Sequence, residues 1–175
     1  MQTRVRTDHF VHNLNESRNR LLDVLGPTVQ FLVTPEEGSE ALCVLKTVIP
    51  AGGFVPLHSH EDVECFYLLS GIQEALIETR GNLVWTECRA GDYIYVPGGA
   101  KHAWRNQSGE PAVSICTTTA RLGRFFDEVG GEIYQGEPLL PPSPERLQHF
   151  IDTAKRFGYW LGTPEENTAV GILLF

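Results

Sequence analysis

The sequence predicts an all-β fold, a single antiparallel β-barrel or sandwich, with a helical segment behind it. Three observations predict it. About nine short strand-like runs between residues 28 and 120 are separated by turn signals at intervals of roughly 8 to 12 residues, the spacing of sandwiches and barrels. Proline and glycine punctuate these runs, as at Pro50-Ala-Gly-Gly53 and Pro97-Gly98-Gly99. Beyond residue 120 the apolar period lengthens from that of a strand to that of a helix. At 175 residues the chain is one domain, long enough to bury a core without disulfide or metal staples.

Taken in order, residues 1–27 read as an N-terminal arm, with a short helix expected over Asn15 to Leu25, capped by Asn15 and stopped by Gly26-Pro27. His9 and His12 are spaced as a pair on a helix, but nothing nearby completes a ligand set, so they read as solvated. Residues 28–120 are the barrel. Thr28 to Thr34 alternates, Pro35 to Gly38 turns, and Ala41 to Ile49 is aliphatic. Ile72 to Glu78 and Leu83 to Glu87 form a hairpin turning at Arg80-Gly-Asn82, and Ala112 to Thr119 is the last long strand. Residues 121–175 read as a C-terminal helical extension lying on the barrel. Arg121 to Val129 is one helix; a second has Ser143 as cap, Pro144 at its first position, and a stripe of Leu147, Phe150, Ile151, Ala154 and Phe157 ended by Gly158.

The chemistry lies in two stretches. In the first, Gly52 to Gly71, residues at i and i+2 of a strand share a face, so His58 and His60 set two imidazoles side by side, about 7 Å apart along the strand. Glu64 has the same parity but would lie about 20 Å beyond His58 on a straight strand. It joins them only if the chain reverses at Glu61-Asp62, two poor strand formers that read as solvated turn residues. The second stretch, Gly91 to Asn106, adds His102 after the Pro97-Gly98-Gly99 turn. Its parity turns Trp104 and Asn106 inward with His102, and Lys101 and Arg105 outward; Phe66 and Leu68 share the face of Glu64.

Gly52, His58, His60, Glu64 and Gly71, then Gly91, Pro97, Gly99, His102 and Asn106, match both motifs of the cupin superfamily position by position, and the sequence resembles that family. The resemblance implies a small antiparallel barrel of jelly-roll (double-stranded β-helix) type, with one divalent transition metal held by His58, His60, Glu64 and His102. Such ligands suit Fe, Mn, Ni, Co, Cu or Zn alike. The alternative, core histidines satisfied by hydrogen bonds, is reasonable for any one of them but fits poorly when three histidines and a glutamate are brought together by two motifs, because buried charge without a metal or partner is costly.

The order of barrel then helices is similar to that of the flavonol (quercetin) dioxygenase-like cupins. That resemblance implies an oxidoreductase, a dioxygenase in which Glu64 both ligates the metal and accepts a substrate proton. The substrate expected is a small aromatic or enolic molecule, with Phe66, Leu68 and Trp104 lining its pocket or simply filling the barrel. Two other classes stay open: a non-catalytic metal-containing binding protein, and a metal-assisted isomerase or decarboxylase using Glu61 or Asp62. The net charge of −8 argues against nucleic-acid or anionic-membrane partners. No apolar run reaches the length of a membrane span, and the N-terminus leads into no apolar signal core, so a cytoplasmic protein is expected. The four cysteines form no Cys-x-x-Cys pair, and three of them sit in or beside apolar strand-like runs, where free cysteine reads as a small buried hydrophobe. A homodimer is expected from the resemblance alone.

Overall fold

Strand pairing begins with Leu21–Asp23, which forms β1. In the computed structural model, residues 10–11, 20–134, 136, 138–139 and 141–174 are described. His9, His12 and the expected cap Asn15 lie outside them, but the expected helix is corrected where it can be followed. β1 pairs antiparallel with β2 (Thr28–Val33), and Val24 to Pro27 is the turn between them. Three leucines make too short a stripe to sustain a helix. Leu22, fully buried, instead joins the core between the sheets.

The following strands fall where the alternation places them: β3 (Leu42–Ile49), β4 (Phe54–Ser59), β5 (Glu64–Ser70), β6 (Ile72–Thr79), β7 (Asn82–Arg89), β8 (Tyr93–Val96), β9 (His102–Arg105) and β10 (Ala112–Thr119). The helix α1 (Ala120–Val129) is capped by the Thr119 hydroxyl, which accepts from Leu122 N. Two strands were not legible in the C-terminal extension: β11 (Gly131–Ile133) and β12 (Trp160–Leu161). Between them runs α2 (Pro144–Arg156), with Ser143 as cap. A last short helix, α3 (Pro164–Ala169), starts with a capping box between Thr163 and Glu166.

These strands make two antiparallel sheets, β11-β1-β2-β3-β10-β5-β8 and β12-β4-β9-β6-β7. They face each other as a jelly roll, and the ladders do not close into a ring. The sheets therefore recruit strands from outside residues 28–120 at both ends. Inward side chains of the first sheet, among them Phe31, Leu45, Phe66, Leu68 and Cys116, meet Ala75, Cys88 and Trp104 of the second in one core.

The extension lies on this frame through a second apolar cluster. Phe125 of α1 packs edge-on against Phe150, Phe157 and Tyr159. Of the expected α2 stripe, Ala154 is fully buried, whereas Leu147 stays 46% exposed. The chain then clamps β4. Asn167, with no exposed surface, accepts from Leu57 N at 2.8 Å and donates to Gly162 O and Thr163 O. Among the described residues no helix is long and apolar enough to cross a membrane.

Candidate metal centre

Three histidines meet at one end of the jelly roll. His58 is near the end of β4, His102 opens β9, and the two are register partners across the ladder. His60 follows β4 directly. Glu61 to Val63 then bend the chain across to the first sheet, where Glu64 opens β5 opposite Val96. The reversal that the spacing required is therefore present, and it brings a carboxylate from one sheet against imidazoles from the other.

The ring centroids are 4.1 Å apart for His58 and His102, 5.1 Å for His60 and His102, and 5.4 Å for His58 and His60. Each histidine can offer a ring nitrogen such that all three lie within 4.8 Å of one another. Glu64 Oε2 stands 3.1 Å from His102 Nε2 and 3.5 Å from His60 Nε2. His60, Glu64 and His102 are buried, while His58 is half-buried.

The proton positions decide what this cluster suits. All three Nδ1 atoms face main-chain carbonyls: His58 donates to Pro56 O at 2.8 Å, His60 to Asp62 O at 2.9 Å and His102 to Ala100 O at 2.9 Å. A carbonyl can only accept, so each Nδ1 carries the proton and each Nε2 of a neutral ring presents a lone pair. Two of those lone pairs then face a carboxylate oxygen, acceptor against acceptor. A proton or a metal cation must resolve that opposition, and histidines held by Nδ1–H donation to carbonyls are how proteins orient metal ligands. The residues present fit a divalent metal.

The electrostatics agree. Burial and the neighbouring His102 and His60 push His58 down to about 3, so it is a neutral donor at physiological pH. Burial alone would lower His60, but its hydrogen bond with Glu64, the Glu64 charge and Asp62 carry it above its ordinary value. Glu64 is held well below the usual carboxylate range: burial opposes this, and the bonds from His102 and His60 outweigh it.

The other expected site residues sit as follows. Phe66, Leu68 and Trp104 are all in the core between the sheets, with the Phe66 and Trp104 rings 4.6 Å apart and Trp104 6.5 Å from His102. Asn106, 1% exposed, ties turns together by donating to Ile49 O and Glu110 O. Arg105 lies on the outer face, paired with Glu74 and stacked over Trp85. The solvated reading of Asp62 is corrected: it is 4% exposed and receives Thr119, Tyr159 and Arg121. A buried carboxylate needs such donors, and those donors come from far along the chain, so turn propensity could not reveal them. Cys43, Cys88 and Cys116 are buried as expected, and burial pushes the Cys43 thiol up to about 12. These thiols are protonated and inert.

Fold and site together define a jelly roll carrying a three-histidine cluster that can hold a metal. The family described as "Cupin domain" matches residues 45–118, and with the fold this places that part of the chain in the cupin superfamily. No curated protein matches the chain. Among solved structures, the polyketide cyclase RemF from Streptomyces resistomycificus is similar at TM-score 0.55 and 14% identity, over 82% of this chain and 99% of that one. An RmlC-like cupin from Shewanella frigidimarina gives 0.51 at 19% identity over 67% and 95%. A deletion mutant of Bacillus subtilis oxalate decarboxylase gives 0.52 at 23% identity, over 64% of this chain but 31% of that one. Likenesses at these identities describe the fold.

Proposed function

We propose that the chain is a mononuclear metal-dependent dioxygenase of the quercetinase kind, acting on a small aromatic or enolic molecule that chelates the ion. The observation that carries the metal half is the set of three Nδ1–H donations to carbonyls, which leaves the Nε2 lone pairs free, those of His60 and His102 against Glu64. His58, His60 and His102 would hold the ion with Glu64 as a fourth ligand. A divalent transition metal bound there supplies a Lewis acid and a template for substrate and dioxygen.

The chain's own groups do the rest. Glu64 is ionised at neutral pH and accepts the substrate hydroxyl proton. Phe66 and Trp104, against each other near His102, give the site an apolar floor that keeps water from the reacting oxygen atoms. Arg105 and Arg121 are engaged by Glu74 and Asp62, which favours an enediol or flavonol-like ligand over one with an extra carboxylate or phosphate.

The test is oxygen uptake by protein reconstituted in turn with Fe, Mn, Ni, Co, Cu and Zn and given flavonol and enediol substrates. Uptake matched to substrate loss, and abolished in His102→Ala, is expected. Substrate conversion without oxygen uptake would replace this reading with a metal-assisted isomerase, cyclase or decarboxylase. Binding without conversion would replace it with a sensor or storage protein.

A further inference from the structure

The ring protons of His58 and His102 go to carbonyls that precede them, Pro56 in β4 and Ala100 in the turn into β9. His60 differs. Its proton goes forward to the Asp62 carbonyl, in the bend between β4 and β5, where no strand ladder fixes the peptide. A hydrogen-bond acceptor that swings lets the ring swing with it, so something outside the bend has to hold Asp62.

The Asp62 side chain supplies that hold. It is 4% exposed, and its two carboxylate oxygens are filled by donors from other parts of the chain. Oδ1 accepts from the Thr119 hydroxyl, the cap of α1. Oδ2 accepts from the Tyr159 hydroxyl at 2.7 Å and from Arg121 Nη1 at 3.2 Å. Tyr159, between α2 and β12, is 7% exposed and packs its ring 5.2 Å from that of His60. Arg121 lies over the Tyr159 ring at 5.1 Å and also donates to Phe157 O, so the cation that balances Asp62 is itself anchored to the extension.

We infer that Asp62 and Tyr159 are positioning residues for the metal centre: through the Asp62 carbonyl they orient the His60 imidazole, so the C-terminal extension completes a site whose ligands all lie before residue 103. This rests on the reading of His60 as a metal ligand. It goes beyond a turn-stabilising role for Asp62, since a turn stabiliser would change the melting temperature and leave a bound metal's surroundings alone.

The experiment is a cobalt(II) titration of the full chain, followed by visible absorption, for the parent, Tyr159→Phe, Asp62→Asn and Arg121→Gln, with Tyr67→Phe at an exposed position as control. Outer hydrogen-bond partners of ligand histidines are typically worth about 10–100-fold in metal affinity. Tyr159→Phe and Asp62→Asn are expected to weaken cobalt binding by about that range and to shift the visible band. The Arg121 side chain is 46% exposed, so Arg121→Gln keeps the fold and moves both readouts in the same direction by less. If Asp62→Asn fails to fold, the other two variants decide. Affinity and spectrum equal to the parent's in Tyr159→Phe and Arg121→Gln overturn the positioning role while leaving the metal centre standing. A parent chain that binds no cobalt overturns both.

Discussion

At the scale of single residues, the acceptor-against-acceptor contact between Glu64 and two Nε2 atoms has two consequences. Glu64→Gln keeps the shape of the carboxylate and removes its basicity. Metal content is expected to persist in part, measured by elemental mass spectrometry, while turnover falls by about 10²- to 10⁴-fold, the usual worth of a general base. Full activity in that variant removes Glu64 from the mechanism. The second consequence concerns pH. His60 is raised above its ordinary value of 6.5 by Glu64 and Asp62, against the opposing effect of burial, so in the metal-free chain it holds its proton to higher pH than a free imidazole does. An incoming metal has to displace that proton. Metal affinity should therefore fall as pH is lowered from 8 to 6, with proton release on binding, read by titration calorimetry in buffers of different ionisation enthalpy. Binding that neither releases protons nor depends on pH would contradict the raised proton affinity of His60 beside Glu64.

At the scale of elements, the clamp on β4 is the feature that ties the extension to the site. Leu57 N and Leu57 O are both engaged from beyond residue 160, by Asn167 Oδ1 and Gly162 N. Removing the Asn167 amide strands the Leu57 N–H and the Gly162 carbonyl, while Thr163 O keeps the Asn167 main-chain N–H, at about 1–3 kcal/mol for each group left unmade. Asn167→Ala is expected to destabilise by about 3 kcal/mol and to lower the melting temperature by about 6–12 °C for a chain of this size. A change below about 2 °C would show that the clamp is dispensable. Barrel strands were most legible where one face is buried and the other is not, as in β10, where Ala112, Ser114, Cys116 and Thr118 turn in. The meeting of His58, His60, Glu64 and His102 was legible through the resemblance to the cupin motifs, and their parity with the breaking residues at Glu61-Asp62 showed that a reversal was needed for it. β11 and β12 were not legible: two or three residues carry no period, and their pairing with β1 and β4 is decided by tertiary packing. The helix α3 was not expected, although Thr163-Pro-Glu-Glu166 carries a capping-box pattern that a sequence reading can find. The anchoring of Asp62 by Thr119, Arg121 and Tyr159 was beyond reach, because it joins residues 57 to 97 positions apart.

For the whole molecule, the site sets how stability depends on acidity. His58 has a folded value of about 3 against an ordinary 6.5, so between these limits the unfolded chain binds a proton that the native chain refuses. Its contribution is present above pH 6.5 and is lost as pH falls. Glu64, also depressed, loses its contribution only as pH falls below its ordinary value of 4.5. Glu128, Glu145 and Glu165, held low by Arg156, Ser143 and local backbone donors respectively, behave the same way. His60 is shifted the other way, so its contribution is fully present below 6.5 and constant there. Between pH 6.5 and about 5, His58 is thus the member of the cluster that acts. It can impose a slope of at most about 1.4 kcal/mol per pH unit, moderated by its contact with solvent. The metal-free chain is expected to melt at progressively lower temperature across that window, and His58→Asn to flatten the trend. Metal at about 100 times its dissociation constant adds about 2.7 kcal/mol at neutral pH, raising the melting temperature by about 5–11 °C, and the gain shrinks toward pH 5 as protons compete for the same nitrogens. A melting temperature independent of pH in the metal-free chain and unmoved by metal would mean that His58 is not held neutral by burial and that the cluster is not available to an ion.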